Sequence, residues 1–202
     1  MTSDKLIDVF GLRSKVGGEA TAYVEKVTAV ARVVGWKPEW LLAVIEFESN
    51  HNPKAVNPLS NATGLIQFMP ATAAALGTTV SELWNMSRLR QLDYVEKYLL
   101  PYRGKVKDFF DAYAAVFLPI MLGKSEDWVI PDVYVQANPI FKKYSGLDGN
   151  PNTVTKKEWK EYLKNHFKKY PFLFGNDHRL LFAIIALAVI TAIGFVYASL
   201  NS

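Results

Sequence analysis

From Ala20 to Val34 the apolar residues Ala20, Val24, Val27, Ala31 and Val34 recur at spacings of three and four, the period of one helix face. Gly35 is placed to stop this helix, and Pro38 sits where a first-turn proline would start the next, which runs to about Ser49. The following stretch, NHNPKAVNPLSNATG at residues 50–64, is dense in Asn, Pro, Ser and Gly and reads as loop. Further helices are predicted over Leu65–Leu76, with Pro70 interrupting its first half, and over Ser81–Leu99, with Ser81 as cap. Lys107–Leu122, broken by Pro119, and Thr155–Lys169 complete the set. No alternation of apolar and polar residues lasts long enough to predict a strand, and no internal repeat is visible. The expected class is mainly α.

A different pattern closes the chain. Leu180 to Leu200 is 21 residues without a charge. At roughly 1.5 Å per residue such a helix is about 31 Å long, a match to the hydrocarbon core of a bilayer. The expected organisation is therefore a globular domain over 1–146, a Lys-rich helical extension and juxtamembrane segment over 147–179, and one C-terminal transmembrane helix over 180–200.

Composition narrows this further. Half of the 202 residues are hydrophobic and 21% are charged, which excludes long disorder and collagen-like repeats. The net charge of +4 is unevenly spread. Between Phe141 and Tyr170, eight lysines (142, 143, 156, 157, 160, 164, 168 and 169) face only Asp148, Glu158 and Glu161. That surplus suits anionic lipid or nucleic acid as a partner, or else a solvated helix face beside a membrane. Without cysteine there is neither a disulfide framework nor a thiolate metal site. His51 and His166 read as surface residues, and with His178 they make no metal-ligand spacing, so no metal or cofactor is expected. Residues 148–158 resemble a calcium loop, but the turn glycine is missing and Glu158 falls one residue early, so a capped turn into the helix at Thr155 is expected instead. The first residues carry no apolar run behind a basic start, so no secretory leader is expected.

The candidate chemistry lies in the helix PEWLLAVIEFES. Leu41, Val44 and Ile45 share a stripe that Glu48 continues, whereas Glu46 lies on the opposite side and is expected in solvent. An acid on an apolar face near a helix C-terminus is disfavoured as an anion, which raises its pKa toward that of a general acid working near neutrality. From the residues alone, Glu48 is either such an acid or a satisfied structural carboxylate.

The surrounding residues bear on that choice. Glu48-Ser49 is followed by Asn52-Pro53 with Ala55, then by Ala62-Thr63-Gly64-Leu65-Ile66-Gln67-Phe68-Met69-Pro70 with Thr72-Ala73. This composite, close over about Leu41–Leu76 and looser to about Asn138, resembles the catalytic core of the lytic transglycosylases, the family related to goose-type lysozyme. Tyr113 in DAYAAVFLP resembles a phage-type form of the family's third motif; the usual Tyr-Asn-Ala-Gly is here Tyr113-Ala114-Ala115-Val116. Asn61 stands where many relatives have glycine, and asparagine tolerates the left-handed backbone that such a turn uses.

The resemblance implies a lysozyme-like fold and cleavage of the bond between N-acetylmuramic acid and N-acetylglucosamine in peptidoglycan, with a 1,6-anhydro-muramic product. It implies Glu48 as the catalytic residue and Ser49, Gly64, Gln67, Met69 and Tyr113 as substrate-binding. Gln136 and Asn138 are further cleft candidates. A hydrolytic muramidase using the same glutamate, and an inactive membrane-tethered wall-binding or assembly protein, are the rival expectations. Lysines before the uncharged run and none after it would keep the body cytoplasmic, away from peptidoglycan. A membrane-containing phage virion resolves that conflict and is the expected location, with a bacterial cell membrane as the alternative.

Overall fold

A computed structural model describes residues 1–137, 141 and 153–175. Its centre is α3 (Ala20–Val34), which buries Tyr23, Val24, Val27, Val30, Ala31 and Val34. Gly35 ends it with φ 78, and the Trp36 N–H returns to the Ala31 carbonyl, which satisfies a group the helix end would otherwise leave open. Helices α1 (Ser3–Val9) and α2 (Leu12–Val16) pack on α3. Each buries only two residues, Leu6 and Ile7 in one and Leu12 and Val16 in the other, too few to show a period in the sequence.

Helix α4 (Pro38–Ser49) begins on its proline as expected. It lies between α3 and α8 (Phe109–Phe117), and every residue from Trp40 to Ile45 is buried. The expected stripe is thus widened to the whole circumference in the middle of the helix, and only its two ends meet solvent.

Three predicted helices change shape. The helix expected over 65–76 starts only at Pro70, as α5 (Pro70–Ala75), because proline lacks an N–H to donate and holds Met69 extended at φ −66, ψ 150. The helix expected over 81–99 divides into α6 (Val80–Asn85) and α7 (Arg88–Leu99). Thr79 and Ser87 are the caps, the first in a reciprocal box with Glu82, so Ser81 lies inside a helix. The helix expected over 107–122 contracts to α8, capped by Asp108, and Pro119 opens a separate 3-10 turn. A short helix, α9, covers Asp132–Ala137. Among the described residues extended pairing is limited to isolated bridges, Val56–Thr63 and Thr63–Phe68 in the long loop and Val129–Thr155.

The Lys-rich segment forms α10 (Lys156–His166), and its Trp159 and Leu163, followed by Phe167, Tyr170 and Leu173, enter the same core as α3, α4 and α8. Several of its lysines hold protein groups. Lys156 is buried, its Nζ donating to the carbonyls of Met121 (3.1 Å) and Lys124 (3.0 Å). Lys160 pairs with Glu126, Lys164 with Glu161 and Lys169 with Glu46, which leaves a thinner basic face than the charge count suggested. Glu158 is taken up in a capping box with Thr155, as the capped-turn reading expects; residues 148–152 of the calcium-like stretch lie outside the described residues. So does the span expected at 180–200. Among the described residues no helix is long and apolar enough to cross a membrane.

Candidate active site

The all-round burial of α4 leaves Glu48 as a partly buried acid on the helix's last turn. Burial pushes its carboxyl from the ordinary 4.5 up to about 7, against the pull of a hydrogen bond from Tyr113. Tyr113, on α8, is itself 1% exposed. Its ring is fixed by Phe47 (5.1 Å between centroids), Phe117 (5.7 Å) and Trp159 (5.9 Å). The structure therefore brings Glu48 and Tyr113 together from helices some sixty-five residues apart in the chain.

Tyr98 and Tyr102 are neighbours that sequence reasoning missed. Burial raises the Tyr98 hydroxyl pKa, and Tyr102 and the charge on Glu48 raise it further. The Tyr98 hydroxyl donates to the Ala115 carbonyl at 3.1 Å. The signal available in the sequence was the spacing of Tyr94 and Tyr98, four residues apart along one helix face, with Tyr102 just past the helix end.

The loop before α5 places the other candidates. Ser49 is buried, and its hydroxyl is directed at the backbone carbonyls of Ile45 (3.1 Å) and Leu65 (2.9 Å). It ties the helix end to the loop, whereas the expectation from sequence was a donor to sugar. Gly64 has φ +83, and a Cβ there would overlap the Gln91 side-chain amide. The contact that demands glycine is therefore within the protein. Gln67, at φ 53, donates its amide to the carbonyls of Gly64 (3.1 Å) and Ala55 (3.3 Å), so its nitrogen shapes the turn. Asn61 takes the left-handed backbone at φ 57. Met69 is 47% exposed, unlike its buried neighbours Leu65 and Phe68, and is free to meet a ligand. Gln136 is exposed on α9, and Asn138 lies outside the described residues.

Gln91 is the residue that organises this loop. Wholly buried on α7, it accepts from the Leu65 N–H (2.9 Å) and donates to the carbonyls of Pro53 (2.6 Å) and Leu83 (2.7 Å). A glutamine one turn before Val95 on an apolar face was its sequence signal. Next to the loop, Val56, Thr63, Pro70, Val80 and Trp84 line a groove of about 470 Å³; Glu48 is not among its walls.

Two expectations are corrected. Glu46 is not solvated: its side chain is 12% exposed and meets Lys15 (3.2 Å), Lys169 (2.9 Å) and the Tyr170 hydroxyl (2.9 Å). Burial works against the anion, but the facing His51 ring, Lys169, Tyr170 and the charge on Lys15 hold it down to about 2. His51 is fully buried rather than on the surface. Its Nδ1 lies 3.0 Å from the Tyr23 hydroxyl, and its Nε2 is 3.9 Å from Glu46, an electrostatic neighbour beyond hydrogen-bond range. Glu46 is covered by Lys15 and by Lys169 and Tyr170, and His51 by Tyr23 and Arg88, residues that local periodicity does not bring to the end of α4.

No curated protein matches the chain, and no solved structure does. Residues 27–93 match the family model of the Transglycosylase SLT domain. The matched stretch carries Glu48, Ser49, Gly64, Gln67, Met69 and Gln91 and stops before Tyr113. The match supports the lytic transglycosylase family, with the peptidoglycan glycan strand as substrate.

Proposed function

We propose that this protein is a peptidoglycan lytic transglycosylase in which Glu48 acts alone as acid and then base. The observation that carries the reading is a carboxyl poised at about 7, opposed by a tyrosine hydroxyl and perturbed by no second acidic group among the described residues. Most glycosidases pair two carboxylates, one of them to supply or activate a nucleophile. An internal nucleophile removes that need.

Protonated Glu48 gives its proton to the glycosidic oxygen, the bond from that oxygen to the muramic anomeric carbon breaks, and the electron pair leaves with the N-acetylglucosamine. Glu48, now ionised, takes the proton of the muramic 6-hydroxyl as its oxygen attacks the anomeric carbon. The 1,6-anhydro ring closes, Glu48 is again protonated, and no water is consumed. Tyr113 steadies the carboxylate between the two transfers. Met69 lines the sugar site, while Ser49, Gly64 and Gln67 set the loop geometry beside it.

Mass analysis of muropeptides released from purified walls tests this directly. Anhydro-muramic ends are the expected product. Reducing ends would replace the reading with hydrolysis, and no release would leave a wall-binding protein.

We further place residues 180–200 in a bilayer, as the anchor of a virion's internal membrane or a bacterial cell membrane; the support is 21 consecutive uncharged residues. Alkaline carbonate extraction should leave the chain with lipid. Recovery in the supernatant would remove the anchor from the proposal.

A further inference from the structure

Among the described residues a dense polar cluster lies not at Glu48 but around Glu46, two residues earlier on the same helix. Three parts of the chain meet it, and two further helices hold the third. Lys15 comes from α2, and Lys169 and Tyr170 from the segment after α10. His51, just past α4, is held by Tyr23 of α3, and its carbonyl accepts from Arg88 Nε of α7 at 3.0 Å. Arg88 is in turn paired with Glu19 at 2.7 Å. The cluster closes over a backbone that resists its own shape: Asn50 and His51 have φ 49 and 61, a left-handed pair without a glycine.

An aromatic path connects this cluster to the acid. His166 and Phe167, a few residues before Tyr170, pack their rings on Phe47 at 4.5 and 5.8 Å. Phe47 packs on Tyr113 at 5.1 Å, and Tyr113 hydrogen-bonds Glu48. The segment gripped by Glu46 is thus the backing of the ring that faces Glu48.

We propose that Glu46 is a positioning residue: by clamping residues 166–170 onto the last turn of α4, it holds Phe47 and Tyr113 against Glu48 and keeps water from the acid. The proposal rests on the reading of Glu48 given above for its catalytic meaning, but not for its structural content. It also makes the segment leading toward the uncharged C-terminal run part of the working site.

The test follows the Glu48 carboxyl by carbon NMR in the full-length chain, assigned by loss of its signal in Glu48→Gln, alongside the pH dependence of wall cleavage. The groups facing Glu48 are Tyr113 from α8 and Tyr98, with Tyr102 beyond it; those facing Glu46 are Lys15, His51, Lys169 and Tyr170. Glu46→Gln changes charge as well as reach, so the charge-preserving variants decide. Glu46→Asp keeps the charge and shortens the reach, and Tyr170→Phe keeps every charge and the ring. The expected result is a fall of the midpoint from about 7 by about half a unit or more in both charge-preserving variants, as water reaches the acid, with the alkaline limb of the rate moving equally. A wild-type midpoint in both would overturn the clamp, including where Glu46→Gln alone shifts. A wild type that titrates near 7 yet releases no muropeptide would sink the functional reading while the clamp is judged on the titrations alone.

Discussion

Replacing Glu48 with glutamine should slow wall cleavage severely and, in alkaline solution, make the protein more stable. The two effects have one cause. A carboxyl whose folded pKa stands above its unfolded value binds its proton more tightly when folded. Its contribution to stability is complete below about 4.5 and is lost as pH rises through about 7. A rise from 4.5 to about 7 corresponds to at most about 3 kcal/mol of destabilisation once Glu48 is ionised in the fold. Glutamine has the same shape, keeps an acceptor for the Tyr113 hydroxyl and never ionises. For a chain of this size each kcal/mol moves the melting temperature by roughly 2–4 °C. The variant should therefore melt above wild type at pH 8.5, by up to about 6–12 °C, and within a few degrees of it at pH 4. Loss of a general acid lowers the rate by roughly a hundredfold or more. Thermal unfolding of both proteins at the two pH values, with muropeptide release measured in parallel, decides the matter. A melting difference independent of pH, or walls cleaved by the variant at the wild-type rate, would refute the argument.

Tyr113→Phe removes the one hydrogen bond that lowers the Glu48 pKa, so the alkaline limb of the rate should move above pH 7 while the ring packing persists. An unmoved limb would show that the hydroxyl does not act on Glu48. Gly64→Ala forces a side chain into φ +83 and onto the Gln91 amide. Together, the left-handed strain and the disturbed buried hydrogen bonds should cost about 3 kcal/mol, read as a lower denaturant midpoint. Wild-type stability would mean that Gln91 moves aside freely.

The helical class, the extents of α3 and α4 and the position of Glu48 were all legible in the sequence, because each depends on local periodicity and on a helix terminus. Composition also marked 50–64 as loop, and Asn61 as a residue able to take a left-handed turn. What local pattern misjudged was burial. Glu46 looked solvated because its partners Lys15, Lys169 and Tyr170 stand some thirty positions earlier and more than a hundred later, and His51 because Tyr23 and Arg88 reach it from other helices. Ser49 and Gly64 carried family roles toward sugar, yet their nearest demands are a carbonyl of Leu65 and the amide of Gln91. Periodicity reports which side of a helix is apolar. Only the packed chain decides which polar groups are brought to that side, since desolvation and hydrogen bonding act through space. The sequence by itself determined that a glutamate ends an apolar helix. The tertiary structure determined that α8 meets it with Tyr113, that α10 and the turn after it brace that tyrosine, and that burial, opposed by the Tyr113 hydroxyl, leaves its proton held near neutrality.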